Sequence, residues 1–120
     1  MVYASDEKKR LDKVISVFAE YIRNSSSADL LYSEKVGYVL IRIDGHDRIK
    51  SEMDVISDAE DLCARLLNEI YLDYCIEVSQ QKKDMLVMTS EEIAELRKRF
   101  EPYMAQLPEY AEIAERQLAQ

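Results

Sequence analysis

The sequence predicts a helix-dominated α+β domain, and three observations carry that expectation. Glycine and proline are scarce, two of each in 120 residues, and a sandwich or barrel could not build its turns with so few. Long stretches repeat apolar residues every three or four positions, the period of a helix with one buried face. One segment departs from that period: from Tyr38 to Ile43 the apolar residues run together and are rich in β-branching, which suits an extended strand. The length fits a single domain over 1–120. The competing architecture is an all-helical bundle with residues 38–56 as a kinked helix.

The first helix is expected over residues 5–24. Leu11, Val14, Ile15, Phe18, Tyr21 and Ile22 form one stripe. Ser5 is placed to cap it, and Asp6 and Glu7 suit the positive end of the helix dipole. Asn24 and the three serines that follow end it, because short hydroxyl side chains compete for backbone hydrogen bonds. Residues 28–36 read as a helical turn or loop leading to Gly37.

A strand over 38–43 puts Val39, Ile41 and Ile43 on one face, with Tyr38 and Leu40 on the other. Asp44-Gly45 is a hairpin signal, since a primed turn needs positive φ. A return strand fits residues 48–56; a two-residue loop would set Arg42 against Asp47 and Leu40 against Ile49, and a three-residue loop would shift that register. Ser57 and Glu60 have capping-box spacing and open a central helix running to about Gln80, with an apolar stripe from Leu62 to Val78 too wide for one neighbour to cover. Thr89 and Glu92 form a second capping box. A helix over 90–100 should follow, then a turn near Pro102, then a last helix opening at Pro108.

Composition bounds the function. The net charge is −8, a field that repels phosphate backbones, so neither nucleic acid nor membrane is expected as a partner. Convergence of Lys82, Lys83, Arg97, Lys98 and Arg99 on one face would be needed to reverse that for nucleic acid. No run is long enough to span a bilayer. Cys63 and Cys75 fall on one helix, roughly 18 Å apart along its axis, too far for a disulfide. Two free thiols fit a reducing cytoplasm.

No catalytic residue is assigned. Two glycines give no phosphate-binding loop, and one histidine supplies neither HExxH nor a di-iron pair. No cofactor is expected. The sharpest site for chemistry is Asp44, His46 and Asp47, joined by Glu52, where an imidazole between carboxylates could hold a metal or act as a base. Its spacing fails the calcium-loop pattern, with Arg48 fifth and Val55 twelfth from Asp44, and a turn is the better explanation. Glu52, Asp54, Asp58, Glu60 and Asp61 read as solvated acids, the last three at a helix N-terminus that welcomes negative charge.

The favoured reading is a small acidic interaction or regulatory protein that binds a protein partner or self-associates as a homodimer. Its eight tyrosines, Tyr32, Tyr38, Tyr71 and Tyr74 among them, fall mostly on or near apolar stripes and combine a large apolar body with a polar tip. The expected interaction face is Tyr103, Met104, Leu107, Tyr110, Ile113 and Leu118, on short proline-punctuated segments where internal packing is least assured. The alternative is a metal-dependent enzyme or ligand binder at the Asp44/His46/Asp47 turn.

Overall fold

A computed structural model describes residues 2–43, 52–79 and 88–119. The architecture is helix-dominated α+β: α1 (Ser5–Asn24), β1 (Ala28–Ser33), β2 (Gly37–Arg42), β3 (Glu52–Val55), α2 (Ala59–Ser79), α3 (Ser90–Met104), a 3-10 turn (Pro108–Tyr110) and α4 (Ala111–Leu118). The chain clusters into two compact units, residues 1–62 and 63–120, with the boundary inside α2.

In the first unit α1 has the expected bounds and buries Leu11, Val14 and Phe18. Its start differs in one detail. Ala4 occupies the N-cap and no side chain caps it, so Ser5 lies inside the helix. The C-terminal signal works as expected: Ser25 Oγ accepts from the amides of Ser27 (3.2 Å) and Ala28 (3.1 Å), drawing the backbone out of the helix.

The sheet has three antiparallel strands in the order β1-β2-β3. The segment expected as a helical turn or loop is instead β1, paired with β2 from Ala28↔Arg42 to Ser33↔Gly37. Three residues, 34–36, connect them, and Gly37 closes the hairpin with φ of +90°, a conformation glycine adopts without penalty. Tertiary pairing overrode the local ambiguity of β1, because the ladder with β2 gives its backbone partners that no local signal reveals.

The β2–β3 register also differs from the two-residue loop. Arg42 pairs with Glu52, Leu40 with Asp54, Ile41 with Met53 and Val39 with Val55. The expected register, with Arg42 against Asp47, is displaced by five residues. An odd displacement exchanges the faces. Met53 and Val55 therefore leave the Leu40 face and join Val39 and Ile41. Ile56 takes the inward place and is 1% exposed.

Tyr3 replaces one rung of this sheet. The Ile56 amide donates to the Tyr38 carbonyl at 2.9 Å, as in an ordinary ladder. The return bond is interrupted: Tyr38 N–H donates to the Tyr3 hydroxyl at 2.9 Å, which donates to the Ile56 carbonyl at 2.7 Å. A side chain from before α1 thus ties β2 to the end of β3.

The start of α2 is capped one residue later than expected. Asp58 Oδ1 accepts from the Asp61 amide at 2.7 Å, while the Asp61 carboxylate accepts from the Ser57 amide at 3.0 Å and its hydroxyl at 3.2 Å. Asp58 and Asp61 thus perform the roles assigned to Ser57 and Glu60. Glu7 of α1 takes a further orphan amide, that of Ala59, at 2.6 Å. Asp58→Ala should consequently cost about 1 kcal/mol and Ser57→Ala less than half of that. Urea unfolding of the two variants measures this, and the reverse order would return the cap to Ser57.

In the second unit the stretch of α2 from Cys63 to Val78 buries seven residues, Glu69 and Tyr74 among them. The Thr89/Glu92 capping box forms as expected, with Glu92 N–H to Thr89 Oγ1 at 3.1 Å and Thr89 N–H to Glu92 Oε1 at 2.8 Å. α3 does not stop at 100; it runs through Pro102 to Met104. Pro102 lies in the last turn, where one missing amide is offset by Ala105 N–H to the Glu101 carbonyl (2.9 Å) and Gln106 Nε2 to the Pro102 carbonyl (3.0 Å). Pro108 opens a 3-10 turn that leads straight into α4.

Candidate interaction site

The sheet presents two apolar faces, and only one is covered. Paired residues share a face, so Leu30, Leu40 and Asp54 lie together, as do Tyr32, Tyr38 and Ile56. α1 sits over this even-numbered face: Lys8 Nζ is 4.4 Å from the Tyr38 ring centre and 5.0 Å from that of Tyr32. Lys8 also donates to the Tyr38 hydroxyl at 2.5 Å and pairs with Asp12 at 3.2 Å. The Tyr38 hydrogen bond, partly offset by desolvation and supported by Asp12, holds the Lys8 ammonium above its usual pKa. Ala28, Leu40 and Ile56 are buried on this side.

The odd-numbered face carries Leu31, Val39, Ile41, Met53 and Val55, set side by side by the registers Leu31↔Val39↔Val55 and Ile41↔Met53. Leu31 is 51% exposed, Met53 69% and Val55 55%, with Val39 and Ile41 half-buried between them. Five contiguous aliphatic side chains facing solvent form the kind of surface that marks an interaction site. Asp29 is the one charged residue of β1 or β3 on this face.

The two sheet edges differ. Ile43 N–H donates to the Ser27 carbonyl, so odd residues of β1 turn their backbone groups toward β2 and even ones turn outward. Two of those outward amides are taken: Ala28 N–H by Ser25 Oγ at 3.1 Å and Leu30 N–H by the Asp29 carboxylate at 2.8 Å. On β3 the Ile56-to-Tyr38 bond fixes the same parity, leaving the N–H and C=O groups of Met53 and Val55 pointing away from β2. No described residue hydrogen-bonds them. Two of the three outward amides of β1 are thus occupied, whereas among the described residues both outward amides of β3 are without a partner.

Of the expected interaction face, Leu107, Ile113 and Leu118 are buried, at 0%, 5% and 8% exposure. Tyr103, Met104 and Tyr110 are half-buried. Met104 and Leu118 meet in a cleft of about 290 Å³ between α3 and α4, floored by Phe100, Ala111 and Ala114 and flanked by the Arg97–Glu115 ion pair. The structure does not gather all six into one exposed patch.

Asp44, His46 and Asp47 lie outside the described residues, as do Gly45, Lys82 and Lys83. Glu52 stands on β3, 3.9 Å from Arg42. Among the described residues no group of three or more His, Cys, Asp or Glu side chains is arranged to hold a metal. Arg97 is paired with Glu115, and Arg99 grips Glu77 through two hydrogen bonds of 2.7 and 3.0 Å beside the Tyr74 ring. That bond holds the Glu77 carboxyl below its usual pKa. Cys63 is buried, Cys75 half-buried, and neither is in a disulfide. Among the described residues no helix is long and apolar enough to cross a membrane.

The chain matches no family model, no curated protein and no solved structure. Its function is therefore read from the surface alone. Sequence reasoning missed this surface, because reading residues 28–36 as a helical turn or loop left Leu31 out of it, and the register of a two-residue loop turned Met53 and Val55 to the other face.

Proposed function

We propose that this protein is a protein-interaction module whose working surface is the outer face of its sheet. The observation that carries the reading is the row Leu31, Val39, Ile41, Met53 and Val55, aliphatic throughout and exposed at three of five positions. Two considerations support a protein rather than a small molecule as the partner. The face is a broad strand surface rather than a concave pocket, and small-molecule sites are concave. It is also bounded by an edge whose outward backbone groups at Met53 and Val55 have no partner among the described residues, groups that another chain can use and a small ligand cannot.

Magnitudes limit what the face does alone. Covering the exposed parts of Leu31, Met53 and Val55 is worth about 3–4 kcal/mol, whereas association costs ~4–15 kcal/mol in lost freedom. A partner, whether another protein or a second copy forming a homodimer, must add a further contribution.

The test compares the wild type with a Leu31→Asp/Met53→Asp double variant. Both side chains point to solvent, so the fold should survive, with circular dichroism and melting close to wild type. Proteins captured by the wild type from native lysate should be lost by the variant, and any self-association seen by light scattering over a dilution series should disappear with them. Unchanged capture and unchanged mass with an intact fold would remove the outer face from consideration.

A further inference from the structure

We infer that the β3 edge is a strand-addition site for an extended segment in which apolar residues alternate with lysine or arginine. This deepens the interaction reading and rests on it. Three observations lead to it.

The first is the open ladder. Met53 and Val55 turn four backbone groups away from β2, and no described residue takes them. Of the three comparable amides on β1, those of Ala28 and Leu30 are occupied by Ser25 and Asp29, and that of Tyr32 is not. An added strand would satisfy the open groups and extend the sheet, with backbone bonds supplying affinity and alternate side chains supplying specificity.

The second is the side-chain pattern that the added strand would meet. A residue opposite Met53 or Val55 falls on the outer face, beside two exposed apolar side chains. A residue opposite Glu52 or Asp54 falls on the other face, beside a carboxylate; the Glu52 side chain is 71% exposed and its contact with Arg42 is a long 3.9 Å. Opposite charges facing each other across strands attract, and like charges repel. Alternating apolar and basic residues match both faces at once, and the net charge of −8 favours approach of a basic segment.

The third is what this pattern excludes. A second copy adding its own β3 in antiparallel fashion would pair Met53 with Val55, with Met53 or through Val55 with itself. The first register sets Asp54 against Asp54, the second sets Glu52 against Asp54, and the third brings Glu52 toward Asp58. Each places acid against acid. Inward-facing charges on a short edge strand are a common defence against self-pairing, and here the same acids select a basic guest.

The experiment titrates the full-length protein with two capped heptapeptides, one alternating valine with lysine and the other valine with glutamate. Amide exchange and chemical shifts are followed by NMR, and binding by calorimetry at two salt concentrations. The lysine peptide should slow exchange of the Met53 and Val55 amides at least tenfold, bind at least tenfold more tightly than the glutamate peptide, and weaken as salt rises. Met53→Pro removes one outward donor while leaving the β2 ladder, which Met53 does not enter, and should reduce binding at least tenfold. Should that variant fail to fold, Glu52→Lys supplies the second test: an exposed substitution that should abolish the preference for lysine over glutamate.

No protection at Met53 and Val55, equal binding of the two peptides, or an undiminished preference in Glu52→Lys would overturn the inference. So would protection of those amides in peptide-free wild type together with a doubled mass, which would assign the edge to a second copy. A failed peptide titration alongside loss of capture in the Leu31→Asp/Met53→Asp variant would sink the edge and leave the face standing. Failure of both would end both readings.

Discussion

Gly37→Val should destabilise the protein by about 4 kcal/mol, as much as truncating a buried aromatic side chain. Two independent penalties combine at this position. The backbone sits at φ +90°, where a β-branched side chain is strained whatever the space around it. A Cβ built there would also lie 2.6 Å from Tyr3 Cζ and 2.8 Å from Cε2, so the ring must move. If it moves, its hydroxyl leaves Tyr38 and Ile56. The two penalties separate experimentally. In a Tyr3→Ala background the steric part has already gone, so introducing valine at 37 should cost only about 1–3 kcal/mol of backbone strain. Chemical denaturation of the four proteins of that cycle decides the matter. Equal losses in both backgrounds would mean that the ring yields freely and that φ alone accounts for the effect.

Tyr3→Phe should lower stability by about 2–3 kcal/mol, a large loss for one oxygen atom. The hydroxyl is an accepting and donating link in the chain Tyr38 N–H, Tyr3 Oη, Ile56 C=O, and Tyr3 is 7% exposed. Removing it strands an amide and a carbonyl that little water can reach. The ring remains, so packing beside Tyr38, 6.0 Å away and nearly parallel, is kept. A smaller outcome is informative as well. A loss below ~0.5 kcal/mol would show that β2 and β3 close on each other and form the direct rung that the hydroxyl interrupts. Amide exchange at Tyr38 distinguishes the outcomes, because the stranded amide exchanges faster and the directly bonded one does not.

Both effects converge on one corner of the sheet, where Tyr3, Gly37, Tyr38 and Ile56 meet. That corner fixes where β3 lies against β2. The position of β3 in turn decides that Met53 and Val55 face solvent and that their backbone groups point away from β2. A chain of causes therefore runs from a glycine and a tyrosine near the N-terminus to the proposed interaction surface on the far strand.

Much of the helical part was legible residue by residue. The 3.6-residue stripe of α1 gave its bounds at Ser5–Asn24, and the Thr89/Glu92 box gave the start of α3, because both signals act within one or two turns of chain. Legibility failed where a nearby alternative was almost as good. Ser57/Glu60 and Asp58/Asp61 are overlapping boxes one residue apart, and the second prevailed with Asp61 also reaching the Ser57 amide. Pro102 looked like a stop but lies where a helix has few bonds left to lose.

The interaction surface was not legible in the same way. Leu31, Met53 and Val55 are ordinary strand residues, and nothing local states which face of a sheet will be covered. The six C-terminal residues singled out instead include three that are buried, because a stripe of apolar residues has the same appearance whether a neighbour covers it or not.

By itself, then, the sequence determined the class of fold, the places of the helices, the Thr89/Glu92 cap of α3, the strand nature of residues 38–42 and an acidity that bears on any partner. These follow from periodicity, side-chain chemistry close along the chain, and summed charge, none of which depends on distant contacts. Tertiary structure alone decided that residues 28–33 form a strand, that β3 pairs with β2 five residues from the simplest register, and that Leu31, Met53 and Val55 share one exposed face. Strand pairing is settled by partners far apart in sequence, and an odd shift in register reverses every side chain; what a sheet shows to solvent is fixed only when the last strand is in place.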